Sequence, residues 1–103
     1  MTTKVRVAAQ VEAFVKSLAP EPRRALRQAI KVLAQDKGDV KRLEGKLSGY
    51  HRLRVGHYRV IYAERFEGGT RFIDCIFSKE RAVVYDLFRQ LHLEEFGTGG
   101  IKP

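Results

Sequence analysis

The spacing of apolar positions changes along the chain, and each change predicts an element. Lys4-Val5-Arg6-Val7 alternates polar and apolar, which predicts a short first strand. From Ala9 the period lengthens. Val11, Phe14, Val15 and Leu18 fall at i, i+3, i+4, i+7, one face of a helix. Pro20 is expected to stop that helix, and Pro22 suits the first turn of the next. Leu26, Ala29, Ile30 and Leu33 then repeat the helical spacing to about Gln35. So short a break predicts an antiparallel helical hairpin. Asp36-Lys37-Gly38-Asp39 reads as a loop.

Beyond Ser48-Gly49 the pattern becomes strand-like. Residues 51–55 and 58–64 are rich in β-branched and aromatic side chains, with Gly56-His57 between them. Glycine at the first of two loop positions fits a type II′ hairpin turn. Gly68-Gly69 predicts a second turn, leading into a strand over 71–78. A last helix is expected from Lys79 or Glu80 to about Leu93, with Leu87, Phe88, Leu91 and Phe96 as an apolar stripe that reads as core. The predicted order is β-α-α-β-β-β-α. This is an α+β fold, with an N-terminal helical hairpin and a C-terminal helix packed on a small twisted antiparallel sheet. Residues 1–96 are expected to form a single domain and 97–103, rich in glycine, a flexible tail.

Composition narrows the possibilities. With 44% hydrophobic and 31% charged residues in 103, the chain is globular rather than disordered. No run of about 18 apolar residues exists, so no membrane contact is expected. The first residues lack the apolar core of a secretory signal, and a cytoplasmic location is expected. The only cysteine, Cys75, can form neither an internal disulfide nor a paired-cysteine zinc site.

Charge adds the most. The formal net charge is +8, and it is concentrated. Residues 41–59 hold Lys41, Arg42, Lys46, Arg52, Arg54 and Arg59 against Glu44 alone, before His51 and His57 are counted. A patch of this kind attracts phosphate more strongly than the same charge spread evenly. A two-residue turn at Gly56-His57 pairs Val55 with Tyr58, Arg54 with Arg59 and Leu53 with Val60. Leu53, Val55, Tyr58, Val60 and Tyr62 then share an apolar face that covers the helices, and Arg52, Arg54 and Arg59 share the other. Two guanidiniums ~5 Å apart repel by roughly 1–3 kcal/mol. No acidic residue on these two strands relieves that repulsion, whereas a bound phosphate would convert it to bidentate attraction. Ser78-Lys79-Glu80-Arg81 and Tyr85 are expected beside this face, with Arg81 and Tyr85 one helical turn apart.

The chemistry narrows by elimination. His51, His57 and His92 lack ligand spacing beside acids, so no metal is expected. No Ser-His-Asp pattern, phosphate-binding glycine loop or dinucleotide fingerprint occurs, and no cofactor is expected. Cleavage of RNA remains open, because the 2′-hydroxyl supplies the nucleophile. The protein then needs a base, an acid and cations for the charge developing on phosphorus. Like charge lowers the pKa of a lysine among arginines, and a tyrosine near them also ionises more easily, so either could exchange protons near neutral pH. DNA lacks the 2′-hydroxyl and could not be cut this way.

The stretch Leu43-Glu44-Gly45-Lys46-Leu47-Ser48-Gly49-Tyr50-His51-Arg52-Leu53-Arg54-Val55-Gly56-His57-Tyr58-Arg59-Val60-Ile61-Tyr62 resembles the central signature of the RelE/ParE superfamily of bacterial toxins. Ser78-Lys79-Glu80-Arg81-Ala82-Val83-Val84-Tyr85 resembles its second block, and the predicted helices extend the likeness over nearly the whole chain. The resemblance implies a RelE-like fold and, for the RelE branch, a ribosome-dependent mRNA endonuclease neutralised by a cognate antitoxin. Carried over, Arg52 and Arg54 match paired basic strand residues and Arg59 matches a phosphate-stabilising arginine. Tyr85 falls on a catalytic tyrosine, and Lys79 falls where the best-known members have arginine. Lysine there loses the planar fork, a loss for which Arg81 could compensate. Lys46, His57 and Arg81 are expected to bind RNA, and whether Lys79 or Tyr85 is the general base stays open. The implied partners are an antitoxin, the ribosome and mRNA. Competing readings are a ParE-like inhibitor of DNA gyrase without nuclease activity, and an inactive binding module of the same fold.

Overall fold

A computed structural model of the chain describes residues 2–92, the side chain of residue 92 excepted. The elements are β1 (Thr2–Val7), α1 (Ala9–Lys16), α2 (Pro20–Lys31), β2 (Asp39–Arg42), β3 (His51–Val55), β4 (Tyr58–Glu67), β5 (Thr70–Glu80) and α3 (Val84–His92), with 3₁₀ turns at Val32–Gln35 and Gly45–Leu47. The tail expected over 97–103, Phe96 and the helix end near Leu93 lie outside the described residues.

The α+β architecture is the expected one, with a hairpin of helices, a sheet and a final helix. Its boundaries follow from local chemistry. α1 closes at Ser17, whose hydroxyl donates to the carbonyl of Phe14 at 2.6 Å. Pro20 does not end that helix but opens the second one, and Pro20 and Pro22 occupy a first turn in which amide protons have no helical partner. The Arg23 guanidinium donates to the carbonyl of Leu18 at 3.0 and 3.3 Å and so clamps the connection.

The sheet has five strands in the order β1-β5-β4-β3-β2. Two details differ from expectation. β1 pairs with β5 in parallel, so the sheet is mixed rather than antiparallel. The segment read as a loop before Val40 enters a further strand, β2, antiparallel to β3. All four β2 residues are exposed, so the strand carries no buried alternation that a hydrophobic pattern could reveal. Where β5 runs past β1, the Gln10 side chain takes the place of a strand. It donates to the Ser78 carbonyl and accepts from the Ser78 N–H, both at 2.8 Å, which satisfies main-chain groups of a buried residue.

Helices cover both faces of the sheet. On one face Val11, Val15, Leu26, Ile30 and Leu33 of the hairpin segment pack against Leu53, Val60, Tyr62, Ile73 and Cys75. On the other, Val84 and Phe88 of α3 pack on Ile61 and Phe77, flanked by Leu43, Leu47 and Tyr50. The Phe88 ring lies 5.0 Å from Tyr50 and 5.8 Å from Phe77. Ile61 pairs with Arg52, so the face read as cationic is also the seat of α3. Two corrections follow. α3 begins at Val84 rather than near Glu80, because residues 79 and 80 still pair with β4. Phe88 is core, whereas Leu87 and Leu91 are exposed. Among the described residues, no helix is long and apolar enough to cross a membrane.

The core makes two predictions. Leu53, 1% exposed beneath the hairpin, should cost about 2–5 kcal/mol on replacement by alanine, read by urea unfolding. Burial pushes the Cys75 thiol up to about 12 from an ordinary 9.0, so the native protein should resist iodoacetamide at neutral pH and react once unfolded. A raised thiol pKa means that its contribution to stability is complete below 9.0 and is lost as pH climbs towards about 12. Cys75→Ala should flatten that part of the stability curve.

Candidate functional site

The β3–β4 register is the expected one: Val55 opposes Tyr58, Arg54 opposes Arg59, Leu53 opposes Val60 and Arg52 opposes Ile61. In the turn only Gly56 takes positive φ, 60°, as a type II′ turn requires. The turn is tied to the end of β5, because the Arg81 N–H donates to the carbonyl of His57 at 2.7 Å. Arg52 and Arg59 therefore project from a braced ribbon.

Both are anchored in the same way. Arg59 is 7% exposed, and its Nη1 donates to the carbonyls of Gly56 and Tyr58 at 2.9 Å. The Ser78 hydroxyl donates to the Arg59 carbonyl at 2.9 Å and holds the main chain beneath it. Arg52 Nη1 donates to the Asp39 carbonyl at 2.9 Å and to its Oδ1 at 3.1 Å. In each guanidinium, Nε and Nη2 make no hydrogen bond with another described residue. Arginines held this way lose little further freedom when an anion binds.

Arg52 and Arg59 line an open cleft of about 500 Å³ together with Lys41, Arg42, Leu43, Glu44, Arg81 and Tyr85. Lys41 is the cross-strand partner of Arg52, which puts both on one face. Tyr85, in the first turn of α3, is half-buried against the Ile61–Phe88 cluster and borders the cleft. Arg81 reaches it from the turn before α3 and not from a shared helical surface. Five basic side chains against Glu44 make the cleft strongly cationic.

Other expected site residues stand elsewhere. Arg54 is exposed, lies outside the cleft lining, and has Nε 3.8 Å from Asp39 Oδ2. Lys79 opposes Arg59 in the sheet, yet its ammonium lies 5.5 Å from the Phe14 ring centroid and does not line the cleft. Lys46 is exposed on the 3₁₀ turn away from the lining. His57 borders a separate shallow pocket with Glu80, Arg81 and Ala82.

The absence of counter-ions is corrected. Asp39 contacts Arg52 and approaches Arg54, and it was missed because it was read as the end of a loop. Lys41 was missed as a site residue because no strand was expected at its position, although it belongs to the basic segment 41–59. Asp74 and Glu64, by contrast, are engaged outside the cleft. Asp74 pairs with Arg6 and Arg65, and Glu64 with Arg71. His51 stacks on Tyr62 with 5.1 Å between ring centroids, on the hairpin face and away from the cleft. Among the described residues, no group of three or more His, Cys, Asp or Glu side chains could hold a metal ion.

A helical hairpin and a single helix on opposite faces of a small mixed sheet match the fold of solved toxin structures. A chain of the archaeal RelE–RelB complex from Pyrococcus horikoshii is 30% identical to this one, with a TM-score of 0.59 over 79% of this chain and 97% of that one. At the level of the fold, the RelBE toxin–antitoxin complex of Mycobacterium tuberculosis also matches, at 22% identity and TM-score 0.61, covering 79% of this chain and 100% of that one. So does the YoeB/ParE toxin of Agrobacterium tumefaciens, at 16% identity and TM-score 0.59, covering 76% and 98%. No protein-family model and no curated protein matches the chain. The chain belongs to the RelE/ParE superfamily, the toxins of toxin–antitoxin systems.

The cleft should bind phosphate. At ten times the dissociation constant, inorganic phosphate should stabilise the protein by about 1.4 kcal/mol, several degrees in melting temperature. Arg59→Ala should abolish that shift, whereas Arg54→Ala, outside the lining, should leave most of it.

Proposed function

We propose that this toxin is an endoribonuclease that cuts mRNA on the ribosome, without a metal, and is neutralised by a cognate antitoxin. The observation that carries the reading is the cleft. Two arginines are pinned through Nη1, their Nε and Nη2 groups making no hydrogen bond among the described residues, beside Lys41, Arg81 and a tyrosine. Such a site meets the demands of phosphodiester transfer through charge and positioning.

In this reading the scissile phosphate sits between Arg52 and Arg59. The ribose 2′-oxygen attacks phosphorus as its proton passes to Tyr85 in its phenolate form. The bond to the 5′-oxygen breaks, and that oxygen takes a proton from water in the open cleft. A 2′,3′-cyclic phosphate and a 5′-hydroxyl result. Arg52, Arg59 and Arg81 stabilise the negative charge that grows on the phosphoryl oxygens. Tyr85 is favoured over Lys79 as the base because Tyr85 borders the cleft and the Lys79 ammonium lies against Phe14. Arg54, Lys46 and His57, outside the cleft, are assigned to the flanking RNA backbone. The open cleft supports ribosome dependence. A shallow basic surface attracts RNA but leaves the alignment of one phosphodiester to its surroundings. The ribosomal target places the protein in the cytoplasm.

The antitoxin is supported by a different surface. Val83 in the turn just before α3, with Leu87 and Leu91 on it, at i, i+4 and i+8, forms an exposed apolar row. An amphipathic segment covering that row while its acidic groups reach the cleft would silence the toxin.

The test is translation in a purified system with the mRNA ends mapped, run beside a gyrase supercoiling assay. Wild type should cut ribosome-bound mRNA and leave supercoiling alone. Arg59→Ala, with its fold checked by thermal melt because Nη1 also braces the turn, should lose cleavage by at least about a hundredfold, the scale of one removed transition-state donor, and with it growth inhibition. Inhibition of supercoiling without cleavage would assign the ParE-like activity instead.

A further inference from the structure

The anchoring of Arg52 has a second consequence. Asp39, the first residue of β2, forks between two arginines. Its Oδ1 lies 3.1 Å from Arg52 Nη1 and its Oδ2 lies 3.8 Å from Arg54 Nε. Its own carbonyl takes a further bond from Arg52 Nη1 at 2.9 Å. One nitrogen of Arg52 is thus held at two points on a single residue. The guanidinium keeps one orientation at the cleft wall, with its side chain only 16% exposed. Arg54, 56% exposed, stays outside the lining.

Two effects of opposite sign follow. The carboxylate orients Arg52, which favours a reaction that depends on a guanidinium being in place before phosphate arrives. It also sets a negative charge beside an anion site, which weakens the attraction for RNA. A side chain retained only for stability explains this poorly, since an ion pair with one partner 54% exposed contributes little. The β2–β3 main-chain pairing does not need it.

We infer that Asp39 is a positioning residue, which aims Arg52 at the scissile phosphate at the expense of binding strength. The inference rests on the nuclease reading above and adds to it the residue that divides the arginines between cleft and rim.

The measurement is single-turnover cleavage of a defined mRNA on purified ribosomes, with toxin concentration varied to separate the maximal rate from the half-saturating concentration. Asp39→Ala should lower the maximal rate by about tenfold or more. Its half-saturating concentration should fall by roughly threefold to tenfold at low salt, the worth of one partly screened unit charge, and the gain should fade at high salt. Asp39→Asn keeps an oxygen acceptor, so it should regain most of the rate and keep the tighter binding. Thermal melts of both variants report the fold. An unchanged maximal rate in Asp39→Ala overturns the inference. So does a parallel loss of rate, affinity and melting temperature in both variants, which would make Asp39 a staple for β2. If wild type cuts nothing, or Arg59→Ala cuts as wild type does, the nuclease reading itself fails and the inference falls with it. A failure confined to the Asp39 variants leaves that reading standing.

Discussion

The register of the β3–β4 ribbon is the constraint on which the rest of this molecule depends. Side chains of a strand alternate between its faces, so a slip of one residue would move Arg52 and Arg59 under the hairpin and bring Leu53 and Val60 out to solvent. Three features hold the register. Gly56 supplies the positive φ of the turn. Leu53 and Val60, fully buried, pay heavily for any displacement. Arg59 itself donates to the turn carbonyls and so belongs to the structure that fixes it. A residue proposed to hold phosphate is thus also a brace of its own strand connection.

The cleft is built by what stands beside it. Ile61 and Phe77 lie on the same sheet face as the arginines and bury against α3. That packing brings Tyr85 to one wall and leaves the turn before α3 to present Arg81. The opposite wall comes from β2 and the segment after it, which contribute Lys41, Arg42, Leu43 and Glu44. Repulsion among these cations is contained in two ways. Main-chain carbonyls accept from the guanidiniums without adding formal charge, and Asp39 adds a single negative charge at the edge. The cleft keeps a strong field while Arg52 and Arg59 each have a fixed partner.

Lys79 illustrates how family likeness and geometry separate. The resemblance sets it where an arginine is expected, and in the sheet it opposes Arg59. Its ammonium nevertheless lies near the Phe14 ring on the hairpin side, a cation–π arrangement open to a flexible point charge. Arg81, two residues on, lies within the cleft. Strand pairing places a Cα, whereas a long side chain chooses its own surroundings.

Much of this was legible in the sequence because it depends on near neighbours. Apolar spacing marked both hairpin helices and the three strands of the central meander, and Gly56-His57 marked the turn from which the pairing of Arg54 with Arg59 follows by parity. Charge concentration marked 41–59 as the cationic segment, Lys41 included. Other features depend on contacts between residues far apart in the chain. The parallel pairing of β1 with β5 leaves no trace in alternation, because direction does not alter which residues are buried. β2 lies at the sheet edge with every side chain exposed, so its hydrophobic pattern is blank, and with it the pairing of Asp39 with Arg52 and Arg54 was hidden. Local periodicity, set by backbone geometry, determined the elements and their apolar faces. Only tertiary packing decided which elements meet at the cleft, because that depends on where β2 and α3 come to rest against β3, β4 and β5.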